Sequence, residues 1–233
     1  MNTIQKISKL FAKTNGVLRN KWPEYNPVAS GQWIRESSGL PWLKLDIEIP
    51  RDIIHKEIAG MKNYFVEHRA DYNEHTGWKS FCIHGKAYDA TREEIHYNDQ
   101  RPYIWTPEAV QLLPETVKFF QSIWPNDNNY QRIRIMELAP GGIISVHRDS
   151  ELPGQLNEIN IAITQPNDCN FYMENFGIIP FTAGEAYMLN ISNRHTIINS
   201  SSEFRYHIIV HQSNISEELD SVVVKSYNKT YAS

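Results

Sequence analysis

The sequence of 233 residues predicts a mainly β, α+β fold: a β sandwich or barrel with a helical N-terminal layer. Two observations carry that expectation. From Tyr130 onward, YQRIRIMEL, GIISVH, LNEINIAITQ, CNFYMEN, EAYMLNI, HTIINS and FRYHIIVHQ are short runs rich in β-branched and aromatic residues. Gly, Pro, Asn and Ser separate most of them. So many short strands in one stretch need two facing sheets or a closed barrel to bury their apolar faces. Upstream of about residue 128 the pattern changes, and apolar residues recur at helical spacing.

Taken in order, the chain begins MNTIQKISKLFAKTNGVLRNKW, basic and free of acids before Glu24. Ile4, Ile7, Leu10 and Phe11 share one helical face, so a short amphipathic helix packed on the domain is expected rather than a targeting peptide. PRDIIHKEIAGMKNYFVEHR opens with Pro50, a favoured first helical residue, and puts Ile54, Ile58, Met61 and Phe65 on one side. WKSFCI, 78 to 83, alternates as a strand does. A further helical stretch follows Thr106-Pro107-Glu108, with Thr106 as N-cap, and runs with a break near Pro114 to Trp124. The expected organisation is one domain over 1–233: a helical and mixed layer (1–128), the β core with the chemistry (129–212) and a C-terminal extension (213–233).

Hydrophobic residues make up 41% and charged residues 21%, a globular composition. A net charge of -4 offers no basic field for nucleic acid. No apolar run approaches the roughly 18 residues of a membrane span. Two cysteines, Cys82 and Cys169, build no disulfide framework, so a cytoplasmic protein is expected.

The chemistry centres on SVHRDS, 145 to 150. In a strand, residues i and i+2 face the same way, so His147 and Asp149 can offer an imidazole and a carboxylate to one point. His55-Lys56-Glu57 has the same spacing but falls in a helix, where i and i+2 diverge by about 200°. Further along, NRHTIINSSSEFRYHIIVH places His195 before a turn and Arg205 after it. A hairpin centred near Ser200 would set His195 directly opposite Arg205. Two His and one carboxylate form the facial triad of non-haem Fe(II) oxygenases, which leaves three coordination positions open. An arginine further into the same cavity suits a bidentate grip on a distal carboxylate. A dicarboxylate such as 2-oxoglutarate, chelating iron with one end, needs that grip for the other.

ELAPGGIISVHRD, INIAITQPNDCNFYMEN, GEAYMLN and RHTIINSSSEFRYHIIV together resemble the aspartyl/asparaginyl β-hydroxylase family. That family includes L-proline cis-hydroxylases. The resemblance spans about residues 130 to 212. It implies a double-stranded β-helix (jelly-roll, cupin-like) core, Fe(II), 2-oxoglutarate and O₂. By position, His147, Asp149 and His195 match the iron ligands and Arg205 the 2-oxoglutarate arginine. Asn160 stands where some members use a His to help hold the cosubstrate, and Met136 where some place a serine. Glu158 stands where the aspartyl hydroxylases carry Arg, which implies a different specificity.

The expected activity is hydroxylation of an unactivated C–H bond with release of succinate and CO₂. The substrate is expected to be an amino acid, free in preference to one within a peptide or protein, with no nucleic-acid or membrane partner. Arg134 shares strand parity with Met136 and is expected to meet a substrate carboxylate. His207 and His211 are expected as satisfied polar residues of the barrel wall. Trp78, His75 and His84 are candidates for the substrate entrance, with core packing the plainer expectation. Two other functions stay open on the residues alone: a zinc-dependent hydrolase, since His₂Asp also suits Zn²⁺, and a non-enzymatic cupin-like binding or sensor protein.

Overall fold

A computed structural model describes residues 23–69, 75–91, 101–124, 130–149, 154–212 and 214–232. The amphipathic helix expected over the first 21 residues lies outside them. The chain runs α1 (Gly31–Glu36), β1 (Trp42–Leu45), α2 (Arg51–Ala59), β2 (Val66–Glu67), β3 (Thr76–Gly85) and β4 (Ile104–Trp105). Next come α3 (Pro107–Leu112), α4 (Pro114–Ile123), β5 (Tyr130–His147), β6 (Glu158–Ala162), β7 (Cys169–Met173), β8 (Gly177–Ile178), β9 (Ala186–Leu189), β10 (His195–Asn199), β11 (Arg205–Gln212) and α5 (Glu217–Tyr231).

The strand order is β1-β9-β6-β11-β5-β10-β7-β8, with β3 also on β5 and β2 and β4 on β3; every pairing is antiparallel. The long strand β5 belongs to two sheets. Residues 130 to 138 lie between β3 and β11, whereas 143 to 147 pair with β10. The corner between them is Pro140-Gly141-Gly142. Gly141 has φ +71, a left-handed conformation that favours glycine. A Cβ on Gly142 would come within 2.7 Å of the Leu138 side chain and 2.8 Å of the Ala139 carbonyl oxygen. Two sheets joined by bent strands, facing each other across a core, make a double-stranded β-helix.

Side-chain parity sorts the first sheet's two faces. Ile133, Ile135, Ile161, Ile208 and Val210 point to the helical layer, where they meet Ile54, Ile58, Val117, Phe120, Leu219 and Val223. Met136, Leu138, Ala162 and Leu189 point the other way, against Ile144, Phe171, Met173 and Ile197 of the second sheet. The candidate site occupies this second interior.

The helical expectations hold in part. Thr106 caps α3, its hydroxyl accepting from the Ala109 N–H, and Pro114 separates α3 from α4. The helix expected from Pro50 to Arg69 ends at Ala59, where Gly60 caps it. Met61 and Phe65 are still buried, but through a 3-10 turn and strand β2, so residues 66 to 69 lie beside β3. The C-terminal segment is structural as well. Ser216 caps α5, which buries Leu219, Val223 and Tyr227 and packs on α1 and β1. Among the described residues no helix is long and apolar enough to cross a membrane.

Candidate active site

His147 ends β5 and His195 begins β10, and the two are direct cross-strand partners. Asp149 lies two residues beyond the strand, held there by its N–H donating to the Ile191 carbonyl (3.1 Å). Its side chain turns inward: Oδ2 is 3.2 Å from His147 Nε2 and 3.5 Å from His195 Nε2. One ligand-type atom from each residue falls within 4.8 Å of the others.

Both imidazoles are oriented from behind. His147 Nδ1 donates to the Ser145 carbonyl (2.6 Å) and His195 Nδ1 to the Asn193 carbonyl (2.9 Å). A neutral ring that donates from Nδ1 keeps its Nε2 lone pair for a metal. Phe171 stacks on His195 with centroids 5.2 Å apart. Burial disfavours an ionised Asp149, yet hydrogen bonds and charge from His147 and His195 outweigh it and hold the carboxyl well below its usual range. Burial lowers His195, but its bond to Asp149 raises it further, for a net upward shift. Oxygen and two imidazole nitrogens, converged and pre-oriented, suit Fe(II).

Arg205 opens β11 and is 2% exposed. It lines a small chamber together with His147, Asp149, His195, Asn160 and Phe171. Its Nη2 donates to His207 Nδ1 (2.8 Å), while its buried Nε has no hydrogen-bond partner among the described residues. Burial pulls its pKa down to about 10, partly offset by Cys169 and Glu158, so it stays cationic at neutral pH. A buried guanidinium with an unmatched N–H is costly unless an anion meets it. That is the demand a carboxylate cosubstrate fills.

His207 serves Arg205. Burial and the neighbouring guanidinium hold its pKa well below normal, so Nδ1 accepts from Arg205 and Nε2 donates to Gln165 Oε1 (2.9 Å). The Asn160 side-chain amide lies 2.5 Å from the same Nδ1, beside the Arg205–His207 pair.

A larger cavity of about 310 Å³ opens outward from the chamber, sharing Trp78, Met136, Asp149, Glu158 and Ile209 with it. Arg69, Arg132, Arg134 and Arg148 also line it. Arg134 is 3% exposed and donates to the Thr91 carbonyl (3.3 Å). Glu158 is buried and pairs with His211 Nε2 at 3.3 Å.

One expectation needs correction. Strands β10 and β11 are not a hairpin: β5 lies between them, so His195 faces His147 and Arg205 faces Leu138. Asn199 explains why. Its amide donates to the carbonyls of Leu138, Ala139 and Glu203, pinning the 200–204 corner over the bend in β5. Arg205 therefore reaches the metal-type cluster from the facing sheet. His84 is remote from the entrance, packed on Trp105 and Tyr130. His75 sits behind His147, its Nδ1 accepting from the Ser145 N–H (3.0 Å), while Trp78 lines both cavities. Arg69 was not singled out from sequence, since VEHR reads as the tail of a helix; only its place after β2 brings it to Asp149.

A double-stranded β-helix with this His-x-Asp…His cluster above a buried arginine defines the class of Fe(II)- and 2-oxoglutarate-dependent hydroxylases. The model of the aspartyl/asparaginyl beta-hydroxylase family matches residues 51–214, and the chain belongs to that family. The match begins well before residue 130, so it takes in α2, α3 and α4 of the helical layer as well as the β core. Solved structures with a similar fold include the carbocyclase SnoK from nogalamycin biosynthesis, described as non-heme and alpha ketoglutarate dependent (12% identity, 82% of this chain and 86% of that one, TM-score 0.47). A Pseudomonas putida prolyl-4-hydroxylase matches at 12% identity over 76% and 94%, TM-score 0.43. An oxidoreductase of the 2OG-Fe(II) oxygenase family from Burkholderia pseudomallei matches at 13% over 68% and 78%, TM-score 0.43. A search of curated proteins finds no match.

Proposed function

We propose that the chain hydroxylates a free amino acid, converting 2-oxoglutarate and O₂ to succinate and CO₂ as one oxygen atom enters the substrate's C–H bond. The observation that carries this reading is the shared chamber: His147, Asp149 and His195 on one wall and the unmatched Arg205 Nε on the other.

His147 Nε2, His195 Nε2 and an Asp149 oxygen would hold Fe(II), and Arg205 would grip the far carboxylate of 2-oxoglutarate, with His207 fixing that guanidinium and Asn160 beside it on the chamber wall. Bound iron supplies the activation of O₂ and the oxidising power for an unactivated C–H bond. The chain's own part is placement and exclusion of water. Trp78, Met136, Ile209 and Phe171 give the chamber apolar walls. Arg134 is suited to a substrate carboxylate, and Glu158, at the junction of the two cavities, to a substrate ammonium. Opposite charges on one cavity wall match a zwitterion better than a residue inside a polypeptide. Both cysteines are buried thiols rather than a disulfide, in keeping with the cytoplasmic setting we propose.

The test is an amino-acid panel with Fe(II), 2-oxoglutarate and O₂, scored for succinate and for a product 16 mass units heavier. Succinate coupled to one hydroxylated amino acid supports the proposal. Coupling to a protein target alone overturns the substrate class. Hydrolysis without succinate, or metal binding with no turnover of 2-oxoglutarate, overturns the reaction.

A further inference from the structure

Asp149 has two carboxylate oxygens with different partners. Oδ2 faces the two imidazoles, whereas Oδ1 accepts from Arg69 Nη2 at 3.2 Å. We infer that Arg69 is a positioning residue that holds Asp149 as a one-oxygen metal ligand.

Three further features set Arg69 in this place. Its φ of +52 is a left-handed conformation that a non-glycine residue rarely adopts. Such a conformation persists only where the surroundings enforce it. The His68 N–H donates to the Trp78 carbonyl (2.9 Å), so the β2–β3 pairing delivers residue 69 directly to the site. The guanidinium then lies over the Trp78 ring, 5.9 Å from its centroid, while His68 packs on the same indole at 4.3 Å. Arg69 is thereby braced against one wall of the cavity with a donor aimed at one oxygen.

The consequence is a matter of counting positions. Two imidazoles and one carboxylate oxygen occupy three of six sites on an octahedral ion. If Asp149 also bound through Oδ1, only two would remain. A chelating 2-oxoacid would fill both and leave none for O₂. Occupying Oδ1 with a guanidinium keeps the third site open. A simple charge effect would act differently, because a cation beside a divalent metal opposes binding wherever it sits. The inference rests on the proposed metal site, and the experiment separates the two.

The probe is Co(II), titrated into wild type, Arg69→Met and Arg132→Met, with visible absorption recorded before and after adding 2-oxoglutarate. Arg132→Met removes a guanidinium from the same outer cavity and serves as the charge control. Arg69→Met is expected to bind Co(II) but with altered d–d bands both before and after 2-oxoglutarate is added, because a second Asp149 oxygen takes up the position the clamp keeps open. Arg132→Met should keep the wild-type spectrum. Should Arg69→Met not yield folded protein, Arg69→Gln is read the same way, since its amide ends two bonds short of the Nη atoms. Wild-type bands in the Arg69 variant, or equal changes in both variants, overturn the clamp while leaving the metal site standing. Failure of wild type to bind Co(II) overturns the metal site, and the clamp with it.

Discussion

His147 and His195 are direct partners across β5 and β10, with ring centroids 4.3 Å apart and both Nε2 atoms turned to Asp149. Because each ring is fixed by a backbone carbonyl, the cluster is ordered by the sheet itself. His147→Ala or His195→Ala should therefore abolish stoichiometric Fe(II) binding without unfolding the protein. Asp149→Ala should weaken it strongly, with some residual binding through the imidazole pair. Anaerobic calorimetric titration checks this; wild-type affinity in the His195 variant would remove it from the metal site.

Arg205 predicts a separable defect. Arg205→Ala should leave Fe(II) affinity nearly intact and raise the 2-oxoglutarate requirement. Truncating one partner of a buried, charged hydrogen-bonded pair costs about 2–5 kcal/mol, which is at least thirtyfold. The Michaelis constant for 2-oxoglutarate is the readout, and an unchanged value would place the cosubstrate elsewhere.

Substrate binding predicts a third pattern. Arg134→Met should abolish amino-acid hydroxylation yet preserve the slow substrate-free conversion of 2-oxoglutarate, for which Arg134 has no role. Glu158→Gln should raise the Michaelis constant for an amino acid more than for its des-amino analogue. Succinate assays with and without amino acid read the first effect, and a pair of such substrates reads the second.

Protons predict a fourth. Burial lowers His68 well below its usual pKa, with Arg134, Arg69 and Arg132 adding to the shift. Burial and Arg205 do the same to His207. Each stays neutral when folded and gains a proton when unfolded, so the unfolded chain binds more protons below about pH 6.5. Stability must then fall as pH drops from 6.5 toward 4.5, by at most about 1.4 kcal/mol per pH unit for each histidine. The raised His195 acts in the opposite sense but above pH 6.5, where its contribution declines as pH rises. Urea melts in chelator across pH 4.5–7.5 test this. Glu137, whose carboxyl pKa burial pushes up, opposes this trend at the acid end, so a Glu137→Gln background isolates the two rings, and flat stability there between 4.5 and 6.5 would mean they are charged in the folded state.

The strands of the β core were legible because alternation and turn residues act locally: the runs from Tyr130 to Gln212 all contribute strands, the first two joined across Pro140-Gly141-Gly142 as β5. The convergence of His147 and Asp149 was legible from their spacing, although β5 stops at His147 and the Ile191 carbonyl holds Asp149; Arg205 does enter the site, but from the facing sheet and not from the expected place opposite His195. Which strands become neighbours is a long-range matter. The hairpin between His195 and Arg205 was the natural local reading, and only the Asn199 amide on the Leu138 and Ala139 carbonyls shows why β5 intervenes. Arg69 was illegible for a related reason: its site contacts span 80 residues to Asp149, and the local pattern around it imitates a helix. The outer cavity's charge pattern likewise arises only when β2, β5, β6 and β11 come together.

An anaerobic crystal structure with Fe(II) and 2-oxoglutarate tests the central claim most directly. The account predicts iron on His147 Nε2, His195 Nε2 and Asp149 Oδ2, with the distal carboxylate of 2-oxoglutarate accepting from Arg205 and Arg69 still on Asp149 Oδ1. Iron held by any other set of residues, or 2-oxoglutarate bound away from Arg205, would contradict it.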